Sequence, residues 1–200
     1  MSEPLNVLAV VGSLNKVSST RFVVNVVARQ LRDAGAHVDV LDLLGEPLAL
    51  FNPETFQAVN GFPELKARVD RADVFVLGTP DYHGSMSSTI KNFLDHFWHE
   101  FAGKLFATIV ASHEKGLTVT DQLRTVARQC YAWSLPYGAS FAEGIDVKGE
   151  EIVSDALRSR LEMLVRDVRI YGEVIARQRK ADLAGNEPGF MARWRKQNIP

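Results

Sequence analysis

The chain has almost no cysteine, no long apolar run and almost no net charge, and each absence excludes a class of protein. Cys130 is the single cysteine among 200 residues, so neither an intrachain disulfide nor a cysteine-rich metal site can form. The 23 Lys and Arg residues nearly balance the 24 Asp and Glu residues, whereas a nucleic-acid-binding domain is usually strongly basic. No apolar stretch approaches the roughly 20 residues of a membrane-spanning helix, and residues 1–4 do not begin a signal peptide. We therefore expect a cytoplasmic protein without membrane or nucleic-acid partners.

Several catalytic sequence motifs are also missing. Gly12 is followed neither by a Gly-Lys-Ser/Thr phosphate loop nor by the further glycines of a dinucleotide-binding turn. No Gly-x-Ser-x-Gly sequence is present, which argues against a hydrolase. His96 and His99 lack the His-Glu-x-x-His pattern and are interpreted as surface or interface histidines rather than metal ligands. Cys130 lies among apolar neighbours and is interpreted as an inert thiol.

Short apolar runs alternate with helical patterns along the chain. Predicted strands cover residues 5–11, 38–43, 74–77, 105–111 and 135–141. Helices are predicted from residue 22 and over residues 65–72, 87–101, 120–132 and 151–179. This alternation predicts an α/β fold, a doubly wound five-stranded parallel sheet with helices on both faces. Ligands bind such sheets beyond the carboxyl ends of the strands. We predict one domain over residues 1–180 and a polar C-terminal arm over 181–200, ending in a basic aromatic patch at residues 193–196 whose charges are expected to be solvated.

Two of the predicted helices have clear apolar faces. In the helix over 87–101 the buried face is predicted to hold Ile90, Phe93, Leu94, Phe97, Trp98 and Phe101, at the spacing of one helical stripe. In the helix over 151–179 it is predicted to hold Leu157, Leu161, Leu164, Val165, Val168 and Tyr171. Both faces are expected to pack mainly on the sheet.

Hydroxyl groups are concentrated in the loop after the first predicted strand. Ser13, Ser18, Ser19 and Thr20 precede a helix whose first N–H groups have no partner within the helix. Free N–H groups and the helix dipole favour an anion, and Lys16 adds a positive charge. The alternative is that Ser18 or Ser19 simply caps the helix. Because capping needs one such residue, the pattern favours a phosphate site.

The loop after the third predicted strand combines a proline, a glycine and an aromatic side chain. Pro80 restricts the turn, Gly84 permits close approach of the backbone, and Tyr82 offers an aromatic face. Such a loop could lie along a planar ring. The alternative is an ordinary turn followed by a cap at Ser87 or Ser88.

These two loops together resemble one known family. Gly12-Ser13 with Ser18 and Thr20, the segment 80–85, and Lys91-Asn92 in the following helix are similar to the NADPH-dependent FMN reductase family over roughly residues 5–175. The family has a flavodoxin-like fold. The resemblance implies that FMN phosphate is held by Ser13, Ser18, Ser19 and Thr20. It implies that the flavin ring is held by Pro80, Asp81, Tyr82, His83, Gly84 and Ser85, with Ser112, His113 and Gly116 at its pyrimidine side.

Three positions depart from the family pattern. Asn15 stands where the family usually has arginine, so Lys16 is expected to supply the positive charge near the phosphate. Asp81 and His83 stand where the family has Glu and Asn. The third loop retains only Gly116 of a usual glycine pair.

The resemblance implies an enzyme that moves a hydride from NAD(P)H to bound FMN and then to a small acceptor: a flavin, a quinone, an azo or nitro compound, or a metal oxyanion. No catalytic side chain and no metal are expected. A homodimer or homotetramer is implied, with Trp98 and Phe101 as interface candidates. Two alternatives stay open, a non-catalytic flavodoxin-like electron carrier and a flavin-free binding module.

Overall fold

A parallel sheet with five strand positions forms the centre of the molecule. The computed structural model describes residues 3–195, so Lys196 of the basic patch lies outside the described residues. The strands are β1 Asn6–Val11, β2 His37–Asp42, β3 Val74–Tyr82, β4 Ser85–Met86, β5 Leu105–Ala111, β6 Trp133–Ser134, β7 Ala139–Phe141, β8 Val147–Lys148 and β9 Glu151–Ile152. Their order is β2-β1-β3-β5, and β6 and β7 share the fifth position beside β5. The predicted flavodoxin-like doubly wound sheet is confirmed.

Helices cover both faces of this sheet. They are α1 Ser19–Asp33, α2 Phe62–Arg71, α3 Ser88–Asp95, α4 Leu117–Gln129, α5 Asp155–Ala184 and α6 Ala192–Arg195. Alternate residues of β1 point to opposite faces: Val7 and Val11 pack with α1 and α5, whereas Leu8 and Val10 pack with α2, α3 and α4. Both faces of the central strands are therefore buried, as their continuous apolar runs indicate.

Two strands differ from their predicted extents by more than one residue. β3 does not end at residue 77 but continues to Tyr82, pairing with β5 as far as Pro80 opposite Ala111. Gly78 is a packing residue rather than a strand breaker, because a β-carbon there would lie 2.2 Å from Cγ2 of Val24 on α1. The predicted fifth strand is split into β6 and β7, with Pro136 in the interruption between them.

The predicted helix over 87–101 is also shorter than expected. α3 ends at Asp95, and a 3₁₀ turn follows at His99–Phe101. Trp98 leaves the helical conformation with φ −138° and ψ −67°. Its side chain is 51% exposed, and its Nε1 donates to the carbonyl of Gln129 at 3.2 Å. The prediction that Trp98 lies on the buried face was wrong, and Phe101 is fully buried, so it was a wrong choice as an interface residue.

The long C-terminal helix contains two further corrections. α5 runs from Asp155 to Ala184 rather than over residues 151–179, so the expected C-terminal arm would begin within it. Tyr171 is exposed rather than on the buried side of α5. Beyond α5, Met191 and Trp194 are buried against Ala102, because Trp194 folds back and its Nε1 donates to Nδ1 of His99 at 3.2 Å. The expectation of a solvated end was therefore wrong for Trp194.

A buried lysine closes the end of α2. Lys104 precedes β5, and its Nζ donates to the carbonyls of Val69 and Asp70 at 2.7 and 2.9 Å. These are last-turn carbonyls that have no partner within the helix. Burial, with a smaller contribution from the nearby charge of Arg179, lowers the pKa of the Lys104 ammonium to about 7.

Candidate functional site

The loops after β1, β3 and β5 lie side by side because these parallel strands are neighbours and end at one edge of the sheet. The first loop is also bonded directly to the start of α3. The carbonyl of Gly12 accepts hydrogen bonds from the hydroxyls of Ser87 and Thr89, both at 2.7 Å. Ser87 in addition caps α3 by accepting from the N–H of Ile90. The predicted meeting of these loops is thus present in the fold.

Short polar contacts shape the first loop. Ser18 caps α1, since its Oγ accepts from the N–H of Arg21 at 3.2 Å; this is the capping alternative. Ser13 Oγ accepts from the N–H of Asn15, and Asn15 Oδ1 accepts from the N–H of Val17 at 3.2 Å. The Asn15 side chain therefore turns the loop. The hydroxyl protons of Ser13 and Ser18 remain available to a ligand.

Arg21 holds this loop in shape and is not part of the sequence-based site. Its Nη2 donates to the carbonyl of Ser13 at 2.9 Å and its Nη1 to the carbonyl of Asn15 at 2.7 Å. On its other side the guanidinium forms two contacts with the carboxylate of Asp42, at 2.6 and 3.3 Å. The charge of Arg21 is thus neutralised by Asp42, and its donors are directed at the loop backbone. Asp42 is the last residue of β2, at the edge of the sheet where ligands bind. This position was the one feature of the sequence that could have indicated the contact between Arg21 and Asp42.

The remaining donors near the start of α1 fit a phosphate group. Ser19 Oγ donates to Oε2 of Glu143 at 3.2 Å, so this hydroxyl is already used. The backbone N–H groups of Ser19 and Thr20 have no hydrogen-bond partner among residues 3–195. Lys16 is exposed and forms no ion pair within that range. Two free N–H groups, the hydroxyls of Ser13 and Ser18, and one lysine make a largely neutral anion site at a helix N-terminus.

The second loop is a tight β-hairpin. β3 and β4 pair antiparallel through Tyr82 and Ser85, and His83 and Gly84 form the two-residue turn. Their φ angles are 59° and 77°. Two positive φ angles at the central residues are typical of a type I′ turn, for which glycine and Asn are favoured. The side chains of Tyr82 and His83 are exposed and have no hydrogen-bond partner among the described residues.

The carboxylate of Asp81 joins this hairpin to the third loop. Oδ1 accepts from the N–H of Gly84 at 2.8 Å, and Oδ2 accepts from the hydroxyl of Ser112 at 2.8 Å. Both oxygens are therefore used within the protein. The N–H of Gly84 is paired, which leaves the N–H of His83 as the free donor of the turn. Asp81 thus fixes the position of the hairpin.

Gln122 of α4 holds the hairpin from the other side. Its Oε1 accepts from the hydroxyl of Ser85 at 3.0 Å and from the N–H of Met86 at 3.4 Å. Its Nε2 donates to the carbonyl of Gly84 at 3.1 Å. No sequence motif indicates Gln122, since glutamine on a polar helix face is common. Only the fold places it at the hairpin.

The third loop is held by backbone contacts. The N–H of Ser112 donates to the carbonyl of Phe141 at 2.8 Å, and the Ser112 hydroxyl accepts from the N–H of Glu114 at 3.1 Å. Gly116 immediately precedes α4 as its N-cap with φ 58°, and a β-carbon there would lie 2.7 Å from Cγ1 of Val110. Both the backbone angle and this contact require glycine. The side chain of His113 is exposed.

Possible metal ligands and the single thiol are the remaining groups of chemical interest among the described residues. Within residues 3–195, no three His, Cys, Asp or Glu side chains converge as metal ligands would. Cys130 is buried, and burial raises the pKa of its thiol to about 11, so at neutral pH it is protonated. His96 is only 6% exposed, so its interpretation as a surface or interface histidine was wrong. In the described part of the chain, no helix has the length and apolar character needed to cross a membrane.

Comparison with known proteins identifies the family of this chain. The model of the NADPH-dependent FMN reductase family matches residues 5–145. This chain belongs to that family. It is accordingly an NAD(P)H-dependent oxidoreductase with FMN as cofactor, and the family resemblance inferred from the two loops is confirmed.

Two relatives illustrate the range within the family. An NADPH azoreductase of Bacillus sp. (strain OY1-2) is 27% identical over 180 residues, covering 88% of this chain and 97% of the relative. The NADH-dependent FMN reductase SfnE of Pseudomonas putida is 29% identical over 181 residues, covering 86% and 95%.

Solved structures support the fold. The flavoenzyme FerB of Paracoccus denitrificans, an NAD(P)H:(acceptor) oxidoreductase, superposes with a TM-score of 0.68 at 19% identity, over 85% of this chain and 98% of that one. A flavodoxin from the domain Archaea superposes with a TM-score of 0.59 at 11% identity, over 84% and 99%. At these identities the likeness concerns the fold alone.

Proposed function

We propose that this reductase moves two electrons from NAD(P)H to a small-molecule acceptor, with FMN held across the three loops. The single observation that carries the proposal is the pair of hydrogen bonds made by Asp81, which fixes the hairpin against the loop after β5. When bound, FMN supplies the centre that accepts a hydride and releases it again. The protein's own task is to bind, orient and leave one side accessible.

The phosphate would lie at the start of α1. Ser13, Ser18 and Thr20, the free N–H groups of Ser19 and Thr20, and Lys16 surround that position. The hydroxyl of Ser19 is bonded to Glu143, so in our proposal Ser19 contributes its N–H rather than its side chain. Arg21 positions the loop but does not contact the phosphate.

The ring would lie along the hairpin and the third loop. Pro80 and Asp81 set the end of β3, His83 supplies a free N–H, and Ser112 fixes the opposite side. The rest of the ring site is formed by Tyr82, Gly84, Ser85, His113 and Gly116. A hydride moves without a proton relay, so we assign no catalytic acid or base.

The acceptor is proposed to be a small molecule that binds at the open side of the hairpin. Tyr82 is 54% exposed there and presents its ring to solvent, which suits a planar acceptor. Relatives named azoreductase and FMN reductase favour an azo compound or a free flavin. Quinones, nitro compounds and metal oxyanions are the other acceptors to be assayed. The alternative of a non-catalytic electron carrier is disfavoured, because a net charge of −1 gives little electrostatic attraction for a basic partner.

We further propose a cytoplasmic homodimer or homotetramer. A groove of about 860 Å³ lies beside the hairpin, between α3 and α4, and its lining includes Met86, Val126 and the exposed Leu117. Covering this apolar surface with a second copy would extend the site. Residues 1–180 are proposed as the FMN-binding domain and 181–200 as a C-terminal arm that starts within α5, with Met191 and Trp194 packed against Ala102.

Substitutions at the start of α1, compared with one at the N-cap of α5, test the phosphate site. Ser18→Ala and Thr20→Ala should each weaken FMN binding about tenfold, because a hydrogen bond to a charged group is lost. Ser154→Ala is the matched control: Ser154 caps α5 by accepting from the N–H of Leu157, as Ser18 caps α1. Ser18→Ala and Ser154→Ala should lower stability similarly, by about 1 kcal/mol, while only Ser18→Ala changes FMN affinity. Unchanged FMN affinity in both Ser18→Ala and Thr20→Ala would place the phosphate elsewhere.

A further inference from the structure

A second cavity lies away from the three loops, between α2, the end of α3 and the long segment 43–61. Its volume is about 490 Å³. Four phenylalanines line it: Phe51, Phe56, Phe62 and Phe97. An apolar cavity of about 150 Å³ is enough to hold a benzene ring, so this cavity has room for an aromatic ligand.

His96 is the buried polar side chain among these aromatic rings. It is 6% exposed, and its ring centroid lies 5.3 Å from that of Phe51 and 6.0 Å from that of Phe56, edge to face. Its Nδ1 is 2.7 Å from the carbonyl of Asn92. A carbonyl only accepts, so Nδ1 carries a proton, and in the neutral ring Nε2 is an acceptor. Nε2 has no hydrogen-bond partner among residues 3–195, and because it is not one of the fully buried unpaired atoms there, it stays accessible to a ligand.

Asn92 builds this cavity as well as orienting its histidine. Its Oδ1 accepts from the N–H of Phe51 at 2.8 Å, and its Nδ2 donates to the carbonyl of Ala49 at 2.9 Å. One side chain therefore fixes the segment that carries Phe51, and the same residue's carbonyl fixes His96. This gives Asn92 of the Lys91-Asn92 pair a role outside the flavin site.

The charged groups at the rim of the cavity are already paired. Lys66 lies 2.7 Å from the carboxylate of Asp70 and 3.5 Å from that of Glu100, and Lys91 bridges to Asp95. These pairs leave little net charge to attract an ionic ligand. Among the described residues that line this cavity, His96 provides an unpaired acceptor, Nε2, next to the aromatic walls.

We propose that this cavity binds a neutral phenolic ligand: one aromatic ring among the phenylalanines, with its hydroxyl donating to Nε2 of His96. A ring without a donor would fill the space but leave Nε2 unpaired. The site therefore prefers phenol to anisole, which has the same ring and an oxygen but no O–H.

The test compares these two probes on the full chain loaded with FMN, at pH 8, by titration calorimetry. Phenol should bind saturably and about fivefold more tightly than anisole, the effect of one hydrogen bond. His96→Phe keeps an aromatic ring but removes the acceptor, and should bind both probes equally. His37→Phe, at an exposed histidine of β2, is the control and should keep the preference for phenol.

A second measurement does not depend on folding of the variant. In the wild-type protein with ¹⁵N-labelled histidine, phenol should shift the Nε2 resonance of His96, whereas anisole should shift it much less. Equal affinity for the two probes, a preference that survives in His96→Phe, or an Nε2 resonance unmoved by saturating phenol would each overturn the proposal.

Discussion

Asp81 offers the sharpest perturbation of the flavin site, because its carboxylate is the direct link between the hairpin and the third loop. Asp81→Ala removes two hydrogen bonds of 2.8 Å each, to the N–H of Gly84 and the hydroxyl of Ser112. A hydrogen bond to a charged group contributes about 1.5–3 kcal/mol. Asp81 is partly exposed, so we use the low end for each bond and expect a combined loss of about 3 kcal/mol in the free energy that orders the hairpin.

That loss translates into cofactor affinity. If half of it must be restored when FMN binds, affinity falls about tenfold, since 1.4 kcal/mol corresponds to a factor of ten. Asp81→Asn should lose less, because its oxygen still accepts from Gly84 and the Ser112 hydroxyl can reorient to accept from its amide. Flavin fluorescence quenching during FMN titration measures each dissociation constant.

A double-mutant cycle with Ser112→Ala separates this link from general damage. The two substitutions should be coupled by about 1–2 kcal/mol in FMN binding, as contacting residues usually are. Asp33→Ala, at an exposed aspartate of α1, is the control and should leave affinity unchanged. Wild-type FMN affinity in Asp81→Ala would refute the reasoning, because the hairpin would then not form the ring site.

Three further perturbations test other parts of the account. Arg21→Lys should weaken FMN binding about tenfold, as much as Arg21→Ala, since the fork-shaped guanidinium shapes the first loop; full affinity in the lysine variant would show that charge alone is needed. Lys104 has a folded-state pKa of about 7 against an ordinary value of 10.5, so the unfolded chain binds the extra proton between these values and stability should rise with pH from 7 towards 10. In chemical denaturation, Lys104→Met should reduce the increase in unfolding free energy between pH 7 and pH 10 by up to a few kcal/mol. An unchanged increase would contradict the lowered pKa of Lys104. Gly116→Ala should lower the unfolding free energy by about 1–2 kcal/mol more than Gly144→Ala, because both positions have positive φ but only Gly116 is crowded, by Val110; equal losses would exclude that contact as the cause.

The sequence was sufficient for the fold because apolar periodicity reports burial directly. β5 was predicted with its observed bounds, and the doubly wound parallel sheet was predicted from the alternation of strands with helices. Residues that usually interrupt strands or helices, such as glycine, were less informative, because their effect depends on the side chains packed around them. Gly78 lies inside β3, where the absence of a side chain leaves room for Val24 of α1. The apolar spacing continues as far as Phe101, so the sequence pattern did not indicate that the helix is interrupted before Trp98. Contacts between distant segments decide both cases.

The candidate site was predicted in part for the same reason. Serine-rich and proline-glycine loops at strand ends are visible in the sequence, and the fold brings them together. Arg21 and Gln122 were not foreseen, because their partners lie up to 38 residues away along the chain. Asp81 was named as a ring contact, whereas its two oxygens are bonded within the protein. Sequence identifies which loops matter, and only the structure shows which side chains hold them.

The most direct test of the central claim is an anaerobic titration of the FMN-loaded protein with NADPH, followed by addition of an azo dye. We expect one equivalent of NADPH to bleach the flavin absorbance, which should return as the dye is reduced. We also expect parallel double-reciprocal plots in steady state, as alternating binding of donor and acceptor requires. Protein-bound FMN that neither NADPH nor NADH can bleach would contradict the account and favour the electron carrier.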